Sequence, residues 1–249
     1  MRHVSIGHVS SYPMPSFRNY ALLGLVILLT ISLPLISHAL DGITVVERLP
    51  PAINRQLVYQ IITLLLSLGF LGGLRLLRKE VLLTYFRKGD LRAKVIPVPA
   101  LGLKPKPHQS WWHVGRDFAL VISLITAVII YFQLIRGQAL SPARLWLVLP
   151  FSLLCSLSNS FVEEMLTRLG VVVALKGVAS ERAIPLVSAL IFGGVHYWGS
   201  PGGIAGVLAA GFLGWFLAKS ILETKGIFWA WLIHFIQDVI ILTALFLQE

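Results

Sequence analysis

The sequence predicts an all-α protein: a polytopic transmembrane helix bundle of about seven spans with a polar intramembrane cavity. Hydrophobic residues make up 56% of the 249 residues, and the mean hydropathy is +0.81. Charged residues make up only 13%, whereas a soluble domain has roughly 25%. The chain therefore has too few charges to cover a surface in water. Its apolar residues also form runs that are long enough to cross a bilayer.

Seven apolar stretches could each span about 30 Å of hydrocarbon as a helix. They lie near 20–40, 57–77, 118–135, 144–174, 182–198, 203–222 and 227–248. The fourth is too long for one straight span, so we expect it to tilt, to break, or to leave the membrane near Lys176 and Gly177. The first follows Arg2 and Arg18 and could alternatively be a signal peptide, but its length and Pro34 favour a retained helix.

The segment 78–117 separates the second and third spans and is basic. It lacks a sustained helical periodicity and contains four prolines, Pro97, Pro99, Pro105 and Pro107. We therefore expect a cytoplasmic loop with one surface helix near residues 80–86.

The distribution of positive charge predicts the orientation in the membrane. If the N-terminus is cytoplasmic, 16 of the 21 Lys and Arg residues lie in cytoplasmic segments, four lie in the other loops, and Arg168 lies in a span. Cytoplasmic loops are enriched in these residues. We therefore expect an integral, multi-pass membrane protein with a cytoplasmic N-terminus and a C-terminus on the opposite side. The net charge of +10 then favours the lipid bilayer as partner, and no nucleic acid.

Six ionisable side chains lie inside three of the predicted spans. Such groups are costly in hydrocarbon, so they usually face a cavity, pair with one another and serve a function. The fourth span contains Glu163, Glu164 and Arg168, the fifth contains His196, and the seventh contains His234 and Asp238. We expect these three spans to enclose the polar cavity, and the cavity to open to the cytoplasm.

The spacing of these groups predicts pairs. Glu164 and Arg168 are four residues apart, with the acid before the base, so they can form an ion pair on one helix face. His234 and Asp238 have the same spacing and can hydrogen-bond. Glu163 is rotated by about 100° from Glu164, so one carboxylate can pair while the other points elsewhere.

Three alternatives would use the same groups. They could hold helices together by hydrogen bonds, or form the proton relay of a transporter, although no inverted repeat is evident. Glu163, His196 and His234 are also the ligand types of a catalytic zinc. However, the chain has no HExxH motif, and its single cysteine, Cys155, allows no CxxC pair. Zinc is therefore less favoured than a site without a cofactor.

Three motifs carry a resemblance to a known family. The EExxxR, FxxxH and HxxxN/D motifs of that family are similar to EEMLTR at 163–168, FGGVH at 192–196 and HFIQD at 234–238. By these motifs, which cover roughly 145–245, the chain resembles the CPBP family. This family includes the Ras-converting CAAX endoprotease and the bacteriocin-processing or immunity proteins of the Abi group. Residues 1–117 carry no such resemblance.

The resemblance implies an intramembrane endopeptidase of the glutamic type. Glu163, together with His196, would activate a water molecule for attack on a peptide carbonyl. Glu164, paired with Arg168, would hold the geometry of the site. Because water attacks directly, no acyl-enzyme is expected, and no metal is implied.

His234 and Asp238 would correspond to the oxyanion-stabilising pair of the family. An ionised Asp238 cannot donate a hydrogen bond to an oxyanion, so we expect it to orient His234 and support its positive charge, or to be protonated. The sequence also departs from the family at Thr167 and Leu169, where an aromatic residue and a glycine are usual.

The resemblance further implies how the chain is organised and what it acts on. Residues 1–117 would form an N-terminal two-span region with a basic cytoplasmic loop, and residues 118–249 the catalytic bundle. The substrate would be a membrane-associated peptide or protein, such as a prenylated CAAX-type tail. The alternatives are a non-proteolytic immunity or scaffold protein of the same family, and a zinc-dependent metalloprotease.

Overall fold

The structure, a computed structural model, describes residues 16–139, 141–199 and 201–248. Within these residues the chain is helical and contains no β-strand. The α-helices are α1 Phe17–Ala39, α2 Pro51–Tyr85, α3 Trp111–Ile130, α4 Pro142–Glu164, α5 Gly170–Leu175, α6 Ala183–Val195, α7 Gly203–Thr224 and α8 Phe228–Leu247. Two π-helical turns, Tyr131–Ile135 and Met165–Leu169, extend α3 and join α4 to α5, and 3-10 turns lie at Pro99–Leu101 and His196–Trp198.

Among the described residues, six helical segments are long and apolar enough to cross a membrane, which confirms the all-α polytopic bundle. They are Phe17–Ala39, Pro51–Tyr85, Trp111–Ile135, Pro142–Leu175, Gly203–Thr224 and Phe228–Leu247. The fifth predicted span, 182–198, agrees to within one residue with α6 and its 3-10 turn, Ala183–Trp198, but this segment is too short to count as a full membrane span. At about 1.5 Å per residue this segment rises about 24 Å, which is less than the roughly 30 Å hydrocarbon core.

Two local predictions agree with the structure. The fourth span runs without a loop from Pro142 to Leu175 and ends next to Lys176, whose backbone is extended. In α2, Arg78 has φ −141° and ψ 39°, which kinks the helix. The kink separates residues 79–85 from the span and corresponds to the predicted surface helix near 80–86.

Hydrogen bonds between distant segments define one end of the bundle. Asn19 Nδ2 donates to the carbonyl oxygen of Ala174 (2.7 Å), and Arg78 Nη2 donates to that of Lys176 (2.7 Å). Backbone hydrogen bonds also join the α2–α3 connection, residues 86–110, to the α7–α8 turn. The starts of α1, α3 and α8 and the ends of α2, α5 and α7 share this end, which we call the basic end.

The other end of the bundle is held by a second set of contacts. Arg55 Nη1 donates to Asp41 Oδ1 (2.6 Å), which links α2 to the α1–α2 connection. Gln248 Nε2 donates to the carbonyl oxygen of Leu134 (3.1 Å), which links α8 to α3. The ends of α1, α3, α6 and α8 and the starts of α2, α4 and α7 lie here, at what we call the opposite end.

The short helix α5 lies at the centre of the bundle, where all six of its residues are buried. A Cβ at Gly170 would lie 2.9 Å from the Phe70 ring of α2 and 3.0 Å from the Val26 side chain of α1. The first two helices therefore pack directly on α5, which continues the segment formed by α4 and its π-helical turn. The division of the chain at residue 117 stays a prediction.

Small residues bring α6 and α7 into backbone contact. A Cβ at Gly193 would lie 2.8 Å from the carbonyl oxygen of Val207 and 3.0 Å from Gly211 Cα. Such close approach is how membrane helices gain van der Waals contact without a hydrophobic driving force. It fixes the end of α6, and with it the position of His196.

We expect Gly193→Ala to destabilise the protein, because the added Cβ would meet backbone atoms of α7. The free energy of unfolding should fall by about 1–3 kcal/mol, measured by denaturation of the purified protein in detergent. Gly194→Ala is the matched control, since a Cβ there meets nothing within 4 Å, and its stability should be unchanged or slightly raised. Equal losses in the two variants would contradict the close packing of α6 on α7.

Candidate functional site

The structure brings five of the six candidate side chains into one contact cluster. Glu163, Glu164 and Arg168 come from the junction of α4 and its π-helical turn, and His234 and Asp238 come from α8. The π-helical turn Met165–Leu169 begins directly after the two glutamates. Single π-turns of this kind are rare and occur often at functional sites, where the extra residue redirects the side chains around it.

A buried carboxylate holds the histidine of α8 in place. His234 Nδ1 donates to Glu164 Oε1 (2.7 Å), and the same oxygen lies 3.3 Å from Arg168 Nη1. The predicted ion pair between Glu164 and Arg168 is confirmed. Because a carboxylate can only accept hydrogen bonds, the proton of this contact is on Nδ1, and Nε2 is the nitrogen that faces the rest of the site.

Arg168 is buried and has two further contacts. Its guanidinium carbon lies 3.4 Å from the centroid of the Phe192 ring, a cation–π contact. Its Nη1 donates to Thr167 Oγ1 (2.6 Å), and Thr167 Oγ1 donates to the carbonyl oxygen of Glu163 (2.6 Å). Thr167, where the sequence departs from the family, thus connects the arginine to the backbone of the preceding helical turn.

Glu163 points away from Glu164, as the spacing predicts. Its Oε2 lies 3.5 Å from His234 Nε2 and has no hydrogen-bond partner among the described residues, and its side chain is 16% exposed. His234 Nε2 also lies 3.4 Å from Asp238 Oδ1, so the two side chains lie close together as their spacing predicts, and the role of Asp238 stays a prediction. The Nε2 side of the imidazole therefore faces two carboxylates.

Sequence reasoning missed Asn159, which links two of these acids. Asn159 Nδ2 donates to Glu163 Oε1 (3.0 Å) and to Asp238 Oδ2 (3.1 Å), and its Oδ1 accepts from Gln60 Nε2 of α2 (3.4 Å). Asn159 lies one turn before Glu163 on the same helix face. An amide at that spacing within an apolar span was the signal that could have identified it.

His196 lies apart from the cluster. Its Nδ1 donates to the carbonyl oxygen of Phe192 (2.8 Å), and its ring lies 4.1 Å from the Phe192 ring, which contacts His234 edge-on at 5.6 Å. No polar contact joins His196 to Glu163 in the part of the chain that the structure describes. The predicted pair of Glu163 and His196 therefore shares a cavity without a hydrogen bond between them, and its catalytic role stays a prediction.

A cavity of about 980 Å³ lies next to the cluster. Glu163, His196, His234 and Asp238 line it, whereas Glu164 and Arg168 are buried behind its wall. Most of its other lining residues are apolar side chains of α1, α3, α7 and α8. The structure thus does not show the expected polar cavity. Helices other than spans four, five and seven also bound the space, and its ionisable groups lie mainly on one side.

The zinc alternative would use the same side chains. Within residues 16–139, 141–199 and 201–248, no group of three or more His, Cys, Asp or Glu residues is arranged so that it could hold a metal ion. The single cysteine, Cys155, is buried in a separate apolar cluster near the opposite end, with Val148 and Phe246.

Comparison with known proteins gives one match. The chain matches no curated protein and no solved structure. Residues 144–240 match the family model described as Rce1-like, type II CAAX prenyl endopeptidase Rce1-like. The matched range begins at the start of α4 and includes all six candidate residues. It agrees with the resemblance of the three motifs, and this part of the chain is therefore similar to the Rce1-like family.

Proposed function

We propose that the protein is an intramembrane endopeptidase in which Glu163 activates a water molecule for hydrolysis of a peptide bond. The observation that carries this proposal is the hydrogen bonding of the Glu163 carboxylate. Glu163 lines the cavity; its Oε1 is held by Asn159, while its Oε2 is buried and has no hydrogen-bond partner among the described residues. A buried acceptor left free in this way is costly, and it suits a group that takes a proton from water.

The reaction would proceed by direct attack of water. Glu163 Oε2 accepts a proton as the water oxygen bonds to the carbonyl carbon of the peptide, which gives a tetrahedral oxyanion. The carbon–nitrogen bond then breaks, and the proton passes from Glu163 to the leaving amine. The second proton of the water passes from the new carboxyl group to the amine, so the products are a carboxylate and an ammonium group, and no covalent enzyme intermediate forms.

The two histidines would act on the same intermediate. His196 lies across the cavity and would hold the attacking water with its free Nε2, since Nδ1 donates to the Phe192 carbonyl. His234 Nε2 makes only long contacts with Glu163 and Asp238, at 3.5 and 3.4 Å. A proton on this nitrogen can be donated to the oxyanion, because Glu164 keeps the ring fixed from behind.

The substrate would be a peptide that is associated with the membrane. The mostly apolar cavity wall would accommodate an apolar segment without desolvating polar groups. The family match names prenyl endopeptidases of the CAAX type, and a prenylated tail is one substrate that such a wall would accept. The orientation with the basic end in the cytoplasm, supported by the Lys and Arg distribution, is part of this proposal.

We expect Glu163→Gln to abolish cleavage, because an amide cannot accept the proton of the attacking water. Membrane-associated peptides of cells with wild type or variant protein at equal expression would be compared by mass spectrometry. Product signals should fall by at least about 10²-fold in the variant and persist in wild-type cells treated with a zinc chelator. Glu80→Gln, a change of an exposed glutamate at the basic end, should leave the products unchanged.

Two other outcomes of this comparison would overturn the proposal in different ways. Loss of the products with chelator would indicate a zinc-dependent metalloprotease. Identical peptides in both cells, together with a phenotype that survives Glu163→Gln, would favour a non-proteolytic immunity or scaffold protein that uses the cavity for binding.

We expect Asn159→Leu to lower kcat by about 10²-fold while KM changes little, because Glu163 would lose its positioning contact and the cavity would keep its shape. Initial rates on a peptide identified above would be measured with protein in lipid nanodiscs. Ser158→Ala is the matched control, since this neighbouring hydroxyl has no hydrogen-bond partner among the described residues. A rise in KM at constant kcat would place Asn159 in substrate binding instead.

A further inference from the structure

The early turns of α2 bring polar side chains to the cavity and to the cluster. Gln56 and Tyr59 line the cavity, and Gln60 is buried beside them. All three lie outside residues 144–240, which match the family model, and outside the three motifs of the sequence. Helix α2 therefore adds polar groups to the site from a part of the chain that the family match does not cover.

The packing of α2 against α4 and α8 sets the level of these side chains. A buried apolar cluster that includes Cys155 contains residues of all three helices. One turn further along α4, Asn159 Nδ2 donates to Asp238 Oδ2 of α8 (3.1 Å), and Asn159 Oδ1 accepts from Gln60 Nε2 of α2 (3.4 Å). A polar layer thus follows the apolar cluster, and Tyr59 lies at its level.

Tyr59 is close to the two carboxylates that His234 faces. The charges of Glu163 and Asp238 both act on its phenol group, and these carboxylates lie 3.5 and 3.4 Å from His234 Nε2. Tyr59 is only 7% exposed. A buried tyrosine hydroxyl usually has a hydrogen-bond partner, but that of Tyr59 has none among the described residues. Tyr59 and His234 therefore border the same two carboxylates, and the Tyr59 hydroxyl is free to bind another group.

Neighbouring side chains have already used their donors. Asn159 Nδ2 donates to both carboxylates, which occupies the two hydrogens of its amide. Gln237 Nε2 likewise makes two hydrogen bonds, and the Thr167 hydroxyl donates to a backbone carbonyl oxygen. Of these side chains and Tyr59, only Tyr59 keeps a hydrogen that is not donated.

Hydrolysis at Glu163 creates a negative charge on the carbonyl oxygen of the peptide, next to a second acidic side chain, Asp238. Preorganised donors, among them tyrosine hydroxyls, lower the energy of such an oxyanion. His234 Nε2 would supply one donor. The Tyr59 hydroxyl can supply another, and its ring is already held in the cavity wall, so little conformational freedom is lost when the oxyanion forms.

Resting on the peptidase function, we propose that Tyr59 is a further catalytic residue, whose hydroxyl donates a hydrogen bond to the oxyanion together with His234. The phenol keeps its proton throughout, so no bond to Tyr59 forms or breaks. The active site would then include a residue of the predicted N-terminal two-span region, and residues 144–240 would not contain the complete site.

We expect Tyr59→Phe to lower kcat by about 10²-fold while KM stays close to that of wild type, because the ring is kept and only the donor is lost. Initial rates on the peptide identified above would be measured in lipid nanodiscs. Tyr131→Phe makes the same change at a tyrosine that is 51% exposed, and Thr126→Val removes another hydroxyl of the cavity wall. Both controls should keep the kcat of wild type.

Binding of a tetrahedral analogue separates this role from a structural one. A phosphinic peptide carries oxygens that mimic the oxyanion, whereas a reduced-amide peptide of the same sequence has no oxygen at that position. We expect Tyr59→Phe to weaken binding of the phosphinic peptide by about 10²-fold and to leave binding of the reduced-amide peptide unchanged. Equal weakening of both would assign Tyr59 to packing or general substrate binding and overturn the proposal.

The rate measurements distinguish failure of this role from failure of the peptidase function. If wild type cleaves the peptide and Glu163→Gln does not, an unchanged kcat in Tyr59→Phe overturns the role of Tyr59 and leaves the function in place. If wild type does not cleave any peptide, the function fails, and the role of Tyr59 fails with it.

Discussion

The contact between Glu164, Arg168 and His234 is the interaction on which the site depends. Three charged or polar groups from two helices are buried together, and each satisfies part of the others' hydrogen-bonding capacity. Removing one partner of such a buried group leaves the others uncompensated, at a cost of about 3–5 kcal/mol. The contact therefore ties α8 to the π-helical turn after α4 and fixes the orientation of the His234 ring.

The fixed ring organises the groups that face the cavity. With Nδ1 held by Glu164, Nε2 points toward Glu163 and Asp238, and Asn159 holds these two carboxylates at a constant separation. The arrangement leaves one buried oxygen of Glu163 without a hydrogen-bond partner among the described residues, in a side chain that lines a mostly apolar cavity. The reactive carboxylate thus lies next to a cavity wall that accepts an apolar peptide. Hydrolysis inside a membrane requires both features.

The sequence was sufficient for the fold class and for part of the site. Span lengths follow from hydropathy alone, and the i, i+4 spacing predicted the contact of Glu164 with Arg168 and that of His234 with Asp238. The bounds of α6 with its 3-10 turn were predicted to within one residue, whereas the start of α3 at Trp111 was not, because residues 78–117 were expected to form a loop. The contact between Glu164 and His234 joins residues 70 positions apart, so no local pattern contains it.

The central claim is that Glu163 and His234 act as one catalytic unit at the end of the cavity. The most direct test is a double-mutant cycle on the rate of peptide cleavage, with Glu163→Gln, His234→Gln and the double variant in lipid nanodiscs. If the two groups serve one step, the double variant will be no slower than the slower single variant, since residues that act as a unit have strongly non-additive effects. Independent effects that multiply in the double variant would contradict the account.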